Sequence, residues 1–248
     1  MKHYRSIFIS DCHLGFKRNS AKQLVEFLKS VSCENLYLVG DIIDFWELER
    51  GFHWTQADSS AVRQVLKKKR KGTNVYYIIG NHDGVLRENK DKYLPEGIPF
   101  MNEICHVGVD GKRYLVVHGD LFDNAAPIWE VISRIGGRAY SFSIVLNIWY
   151  NKLRKWCGLQ PWSLSAFLKQ NVKSAANYIN KFERHMTEYC REGNYDGAIC
   201  GHIHHATIQN INGLIYMNCG DWVESCTALV EHTDGRFEII DYLKPSHQ

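Results

Sequence analysis

Five short groups of acidic, histidine and amide side chains recur along the chain: Asp11-Cys12-His13, Gly40-Asp41-Ile42-Ile43-Asp44, Gly80-Asn81-His82-Asp83, His118-Gly119-Asp120 and Gly201-His202-Ile203-His204. Carboxylate, imidazole and amide oxygen form a borderline-hard donor set that suits Mn²⁺, Fe or Zn²⁺. None of the eight cysteines sits in a CxxC pair, which argues against a structural zinc. Each group alone is a weak signal. Jointly they are specific, because so many buried polar groups without a shared ligand would carry a heavy desolvation penalty. The donors outnumber the needs of one ion, and two ions about 3.5–4 Å apart sharing a carboxylate account for the surplus.

Each group follows an apolar run. SIFIS (6–10), LYLV (36–39), VYYII (75–79), YLVVH (114–118) and GAIC (197–200) read as buried strands. Amphipathic patterns over 20–31 and 57–71 predict helices between the first three, hence a β-α-β-α-β opening with a mainly parallel sheet. In such a sheet, ligand-binding residues gather at the carboxyl edge of the strands, which is where all five groups fall. From 123 to 193 the pattern is helical; ATIQNI, LIYMNC, CTALVEH and RFEIIDY then follow as closely spaced strands, with hairpin turns at Asn212-Gly213 and Asp234-Gly235. The expected fold class is α/β: a two-sheet αββα sandwich forming one domain over 1–248, with a helical cap inserted at 124–193, well beyond ordinary loop length.

As an ordered set, DCH, GDIID, GNHD, HGD and GHIH resemble the five motifs of the calcineurin-like metallophosphoesterases, across most of the chain. The resemblance implies that Asp11, His13, Asp41 and His204 hold one metal and Asp41, Asn81, His118 and His202 the other, with Asp41 bridging and Mn²⁺ the leading choice of ion. It places His82 beside the scissile phosphate, with Asn81 as a further substrate contact. Asp83 joins His82 as a catalytic candidate, and with Asp44 and Asp120 is expected to orient imidazoles and fix their tautomers; Cys12 is expected to pack inward. Two divalent ions less two carboxylates and a hydroxide leave about one positive charge in a poorly solvated pocket, which attracts an anionic phosphoryl group. Water activated there would attack phosphorus in line with the leaving oxygen.

The segment YSFSIVLNIWY (140–150) lies within the cap, in a stretch with more apolar surface than one helical stripe can hide; Arg134, Arg138, Lys152, Arg154 and Lys155 flank it. An apolar region rimmed by cations suits an amphiphile whose phosphate reaches the metals while its acyl chains occupy the cap. The cap, the HGDLFD block and the tail GHIHHATIQN…MNCGDWVES are similar to the UDP-2,3-diacylglucosamine diphosphatases of lipid A synthesis. That likeness implies an acylated nucleotide-sugar lipid as substrate, UMP and 2,3-diacylglucosamine 1-phosphate as products, and headgroup contacts from Asp123, Ser165, Asn171 and Lys173. One position departs: those enzymes commonly carry Arg where this chain has His82, the choice of the wider superfamily. The alternative is a phosphomonoesterase or phosphodiesterase acting on a soluble nucleotide or other ester.

The remaining composition sets outer bounds. At 248 residues and 45% hydrophobic the chain can bury a full core, and a net charge of +3 is too mild for general nucleic-acid binding. The basic run KKKRK (67–71) reads as the solvated end of a helix. No signal peptide and no membrane-spanning apolar run is evident, so the expected location is the cytoplasm, with peripheral contact to the inner face of the membrane. The cysteines are expected to be free thiols, and nothing in the sequence specifies an oligomeric state.

Overall fold

The computed structural model describes residues 2–51, 53–89, 93–94, 97–122 and 164–244, with backbone alone at 89, 93–94 and 164–176. Asp123 and the apolar run 140–150 lie outside the described residues; Ser165, Asn171 and Lys173 fall where only helical backbone is described. The chain divides into two compact units, Met1–Phe122 with His185–Gln248, and Asp123–Arg184. Among the described residues no helix is long and apolar enough to cross a membrane.

The first unit opens β1 (Lys2–Ile9), α1 (Ala21–Ser30), β2 (Val31–Val39), α2 (Phe45–Arg50), α3 (Gln56–Arg70), β3 (Asn74–Ile78). Next come β4 (Tyr93–Leu94), β5 (Ile98–Met101), β6 (Glu103–Val107) and β7 (Arg113–Val117). A long helix, α4 (Leu164–Glu192), leads to β8 (Gly197–Cys200), β9 (Thr207–Ile211), β10 (Leu214–Asn218), β11 (Thr227–Glu231) and β12 (Phe237–Asp241). The strands form two sheets, ordered β12-β11-β1-β2-β3-β5-β4 and β6-β7-β8-β10-β9. β1, β2 and β3 pair in parallel, as do β7, β8 and β10.

Parallel central strands are buried on both faces, which explains their unbroken apolar runs. With side chains alternating across the strand, Phe8, Tyr37, Val39 and Ile78 pack between the sheets against Tyr114, Val116, Ile199 and Met217. Their neighbours Ile7, Ile9, Leu36, Leu38 and Tyr77 turn the other way, onto Leu24, Phe27 and Leu28 of α1 and Ala61 of α3. Thr55 caps α3 reciprocally with Asp58, a capping box that fixes where the helix begins.

Several details depart from the sequence reading. β2 begins at Val31, directly where α1 ends, rather than at Leu36. α2, β5 and β6 were not anticipated; β6 pairs with β7 as a hairpin around Asp110 and Gly111. Lys68, inside the basic run, is not merely solvated: its ammonium donates to the Val31 carbonyl at 2.6 Å, tying α3 to the start of β2. Seven cysteines are described, all as free thiols and six of them buried, Cys12 among them.

Candidate metal centre

The five groups converge because loops after neighbouring parallel strands leave the same edge, and backbone hydrogen bonds then lace those loops together. Asp11 N donates to Gly40 O at 3.1 Å, His13 N to Asp41 O at 2.9 Å, Gly201 N to His118 O at 3.0 Å and Trp222 N to Asp11 O at 3.0 Å. Such lacing demands unusual backbone. Asp11, His13, Asp41, His202 and His204 all sit in the left-handed region, with φ of 51°, 45°, 53°, 70° and 51°. That region costs an L-residue about 1–2 kcal/mol, and strain of this kind concentrates at functional sites. Gly80 meets a different demand: a Cβ there would collide with the Asp41 carboxylate and the His118 ring.

Each carboxylate is anchored through one oxygen and presents the other. Asp41 accepts the His82 amide on Oδ1 at 2.8 Å, while its Oδ2 lies 3.2 Å from His118 Nε2 and 3.9 Å from His13 Nε2. Asp11 accepts the His202 amide on Oδ2 at 3.0 Å, while its Oδ1 lies 3.1 Å from His204 Nε2 and 4.0 Å from His13 Nε2. The imidazoles are oriented in the same way. His118 donates through Nδ1 to Val39 O at 3.0 Å, and His13 through Nδ1 to Asp44 Oδ2 at 2.9 Å, so both direct Nε2 inward. Asn81 Oδ1 lies 3.3 Å from His118 Nε2.

Three overlapping groups result, in each of which the donor atoms lie within 4.8 Å of one another: Asp11, His13 and His204; His13, Asp41 and His82; and Asp41, His118 and His202. Asp41 Oδ2 stands between the imidazoles of the first and third groups. The donor set fits divalent cations on a further observation: Asp11 Oδ1 and His13 Nε2 are buried yet make no hydrogen bond of good geometry. Buried atoms so placed, short of full hydrogen bonding, are donors that a cation would complete.

Electrostatics agree with the geometry. Burial alone would raise the Asp11 carboxyl, but the charge of His204, then that of His118, outweighs it and holds Asp11 at about 2. Burial would likewise lower His204, yet the Asp11 carboxylate pushes it up to about 9. Against the same burial penalty, Asp41 is driven well below the carboxylate range by His118, and His118 well above the imidazole range by Asp41. The carboxylates and imidazoles of the site thus favour each other's charged forms.

The outer residues divide differently from the sequence expectation. Asp44 does orient imidazoles, holding His13 at 2.9 Å through Oδ2 and lying 3.1 Å from His82 Nδ1 through Oδ1. In place of an imidazole, Asp83 accepts from Ile42 N, Gly80 N and Tyr77 OH, so the buried carboxylate clamps two ligand-bearing loops. Burial, then the charge of Asp41, raises it to about 6. Asp120 binds Arg87 at 2.6 Å rather than a histidine. Trp46 was not foreseen; on the α2 helix, 47% exposed, it lays its indole over the His82 ring with centroids 4.1 Å apart. Its only sequence signal is its position two residues after Asp44, at a helix start that Asp44 caps by accepting from Glu47 N.

This site, carried at the carboxyl edge of a two-sheet α/β fold, is the setting of a metal-dependent hydrolase, and residues 4–206 match the calcineurin-like phosphoesterase family. The chain belongs to that family, whose divalent metal centre has its candidate ligand groups here. Among its relatives, the UDP-2,3-diacylglucosamine hydrolase of Neisseria gonorrhoeae is 26% identical over 88% of this chain and 89% of its own length. The Aeromonas salmonicida protein of the same name is 26% identical over 91% and 89%. That of Vibrio vulnificus is 30% identical over 46% of this chain and 47% of its own. The chain is accordingly a metal-dependent phosphoester hydrolase.

Proposed function

We propose that the protein hydrolyses the diphosphate of UDP-2,3-diacylglucosamine, or of a close acylated nucleotide sugar, to UMP and the acylated sugar 1-phosphate. The observation that carries the reading is the pair of carboxylate–imidazole groups meeting at Asp41, supported by the names of relatives that align over most of the chain. Asp11, His13, Asp41 and His204 would hold one divalent ion, and Asp41, Asn81, His118 and His202 a second, with Mn²⁺ the leading choice. Bound there, the ions supply Lewis acidity toward the phosphoryl oxygens and activation of water.

The chain's own groups do the rest. Asp44 Oδ1 lies 3.1 Å from His82 Nδ1, which would leave Nε2 for the substrate, and the Trp46 indole lies against the ring with centroids 4.1 Å apart. Burial would lower His82, but the Asp44 carboxylate beside it and the charge of Asp41 raise it above the ordinary imidazole value, which favours the protonated ring. A protonated His82 stabilises charge on the phosphoryl oxygens and can donate to the leaving oxygen. The acyl chains are assigned to the inserted segment 124–193, on its apolar run and flanking cations, with Asp123, Ser165, Asn171 and Lys173 as headgroup contacts. The same surface would bring the protein to the inner face of the membrane.

The test is a side-by-side assay of Mn²⁺-loaded protein on UDP-2,3-diacylglucosamine, its deacylated analogue and an aryl phosphate. The reading expects UMP release with kcat/KM at least about tenfold higher for the acylated compound. Equal rates with and without acyl chains would assign the enzyme to soluble phosphoesters instead.

A further inference from the structure

A surface cavity of about 480 Å³ is lined by Gly15, Lys17, Glu47, Arg50, Gly51 and His53, none of which belongs to the metal centre. One wall continues the loop that carries His13, and Gly15 lies two residues beyond it. The other wall is α2, whose capping residue Asp44 holds both His13 and His82. The walls are fastened to each other. Asp44 N donates to Leu14 O at 2.9 Å, Leu14 and Ile43 form a parallel bridge, and Gly15, at φ 96°, runs so close to α2 that a Cβ would stand 2.9 Å from Leu48 Cδ2. The cavity therefore adjoins the loops that carry His13 and Asp44.

Its lining is chemically biased. Lys17 and Arg50 bring two permanent cations and His53 a third nitrogen base, against the single carboxylate of Glu47. Glu47 Oε1 engages Arg50 Nη1 at 3.0 Å, one corner of a guanidinium fork that carries five donors. A guanidinium fork and an ammonium in one lining suit a phosphoryl group, and a carboxylate in the same lining can accept from sugar hydroxyls.

We propose that this cavity is a subsite for the phosphorylated, hydroxyl-bearing nucleoside monophosphate half of the substrate, set beside the loop that carries His13. The inference rests on the diphosphate reading above and adds where the nucleotide half is held. It gives the enzyme a preference for diphosphates over simple monoesters that is independent of acyl chains.

The experiment compares wild type with the Lys17→Ala/Arg50→Ala double variant, both full-length and Mn²⁺-loaded, by calorimetric titration with UMP and with inorganic phosphate, and by kinetics on the nucleotide-sugar diphosphate and an aryl phosphate. The proposal expects the variant to bind UMP at least about tenfold more weakly and to raise KM for the diphosphate by a similar factor, with kcat/KM for the aryl phosphate unchanged. Unaltered UMP affinity, or a parallel fall on the aryl phosphate, would overturn it. If inorganic phosphate binds wild type as tightly as UMP and is lost equally in the variant, the cavity is a free-phosphate site and the nucleotide assignment is wrong. Failure of the acylated-substrate reading is separable: UMP binding reports on the cavity whether or not acyl chains affect turnover.

Discussion

At Asp44 a single buried carboxylate lies against two imidazoles, His13, which presents Nε2 toward the metal groups, and His82, to which the proposed function gives the substrate. Removing it should therefore affect metal and turnover together. Asp44→Ala is expected to weaken Mn²⁺ binding about 10–100-fold, measured by competitive chelation, and to lower kcat beyond what metal saturation restores. His82→Ala separates the two effects: turnover should fall about 10²–10⁴-fold while metal analysis still finds the wild-type content. Gly80→Ala should abolish metal binding through collision with Asp41 and His118, with no donor removed. The donors that the structure brings together were legible in the sequence because Asp, His and Asn at five strand ends have few other uses. Their supporting partners were less so. Nothing in GNHD distinguishes an aspartate that clamps Ile42 and Gly80 from one that steadies a histidine, since that depends on which loop lies beneath it.

Among the elements, the strands buried on both faces were readable from their uninterrupted apolar runs, and the hairpins at Asn212-Gly213 and Asp234-Gly235 from their turn residues. β5 and β6 escaped because they are short, β6 is half polar, and the Asp110-Gly111 signal between β6 and β7 went unused. Far from the metal groups in sequence, β6 also supplies a buried junction between the sheets. His106 contacts Tyr37 OH at 3.0 Å and Glu231 Oε2 at 2.9 Å, and Glu231 accepts in addition from Ser6, Arg5 and the Val109 amide. Burial would raise Glu231, but the His106 hydrogen bond and then the Val109 amide hold it at about 2, below its ordinary 4.5. A depressed carboxyl contributes stability above the unfolded pKa and loses it as pH falls through the folded one. Thermal stability should therefore drop between about pH 4.5 and pH 2, by on the order of 3 kcal/mol from this group. Glu231→Gln should melt lower at pH 7 and show a shallower acid dependence; an unchanged acid profile would assign that loss to other carboxylates.

For the whole molecule, two sheets that share one core bring loops from both to a common edge, which is why residues as distant in sequence as Asp11 and His204 come within 3.1 Å. The order of the motifs was visible in the chain. The left-handed backbone at Asp11, His13, Asp41, His202 and His204, which turns those side chains toward one another, was not, because local propensity opposes it. Strain at five candidate ligand positions persists only if the surrounding fold offsets it, to which bound ions would add, so removal of metal should loosen this edge first. The most direct measurement is anomalous diffraction from crystals of the Mn²⁺-loaded protein. Two peaks about 3.5–4 Å apart are expected, one among Asp11, His13, Asp41 and His204 and one among Asp41, Asn81, His118 and His202. A single peak, or peaks away from Asp41, would contradict the dinuclear site and the phosphoester chemistry built on it.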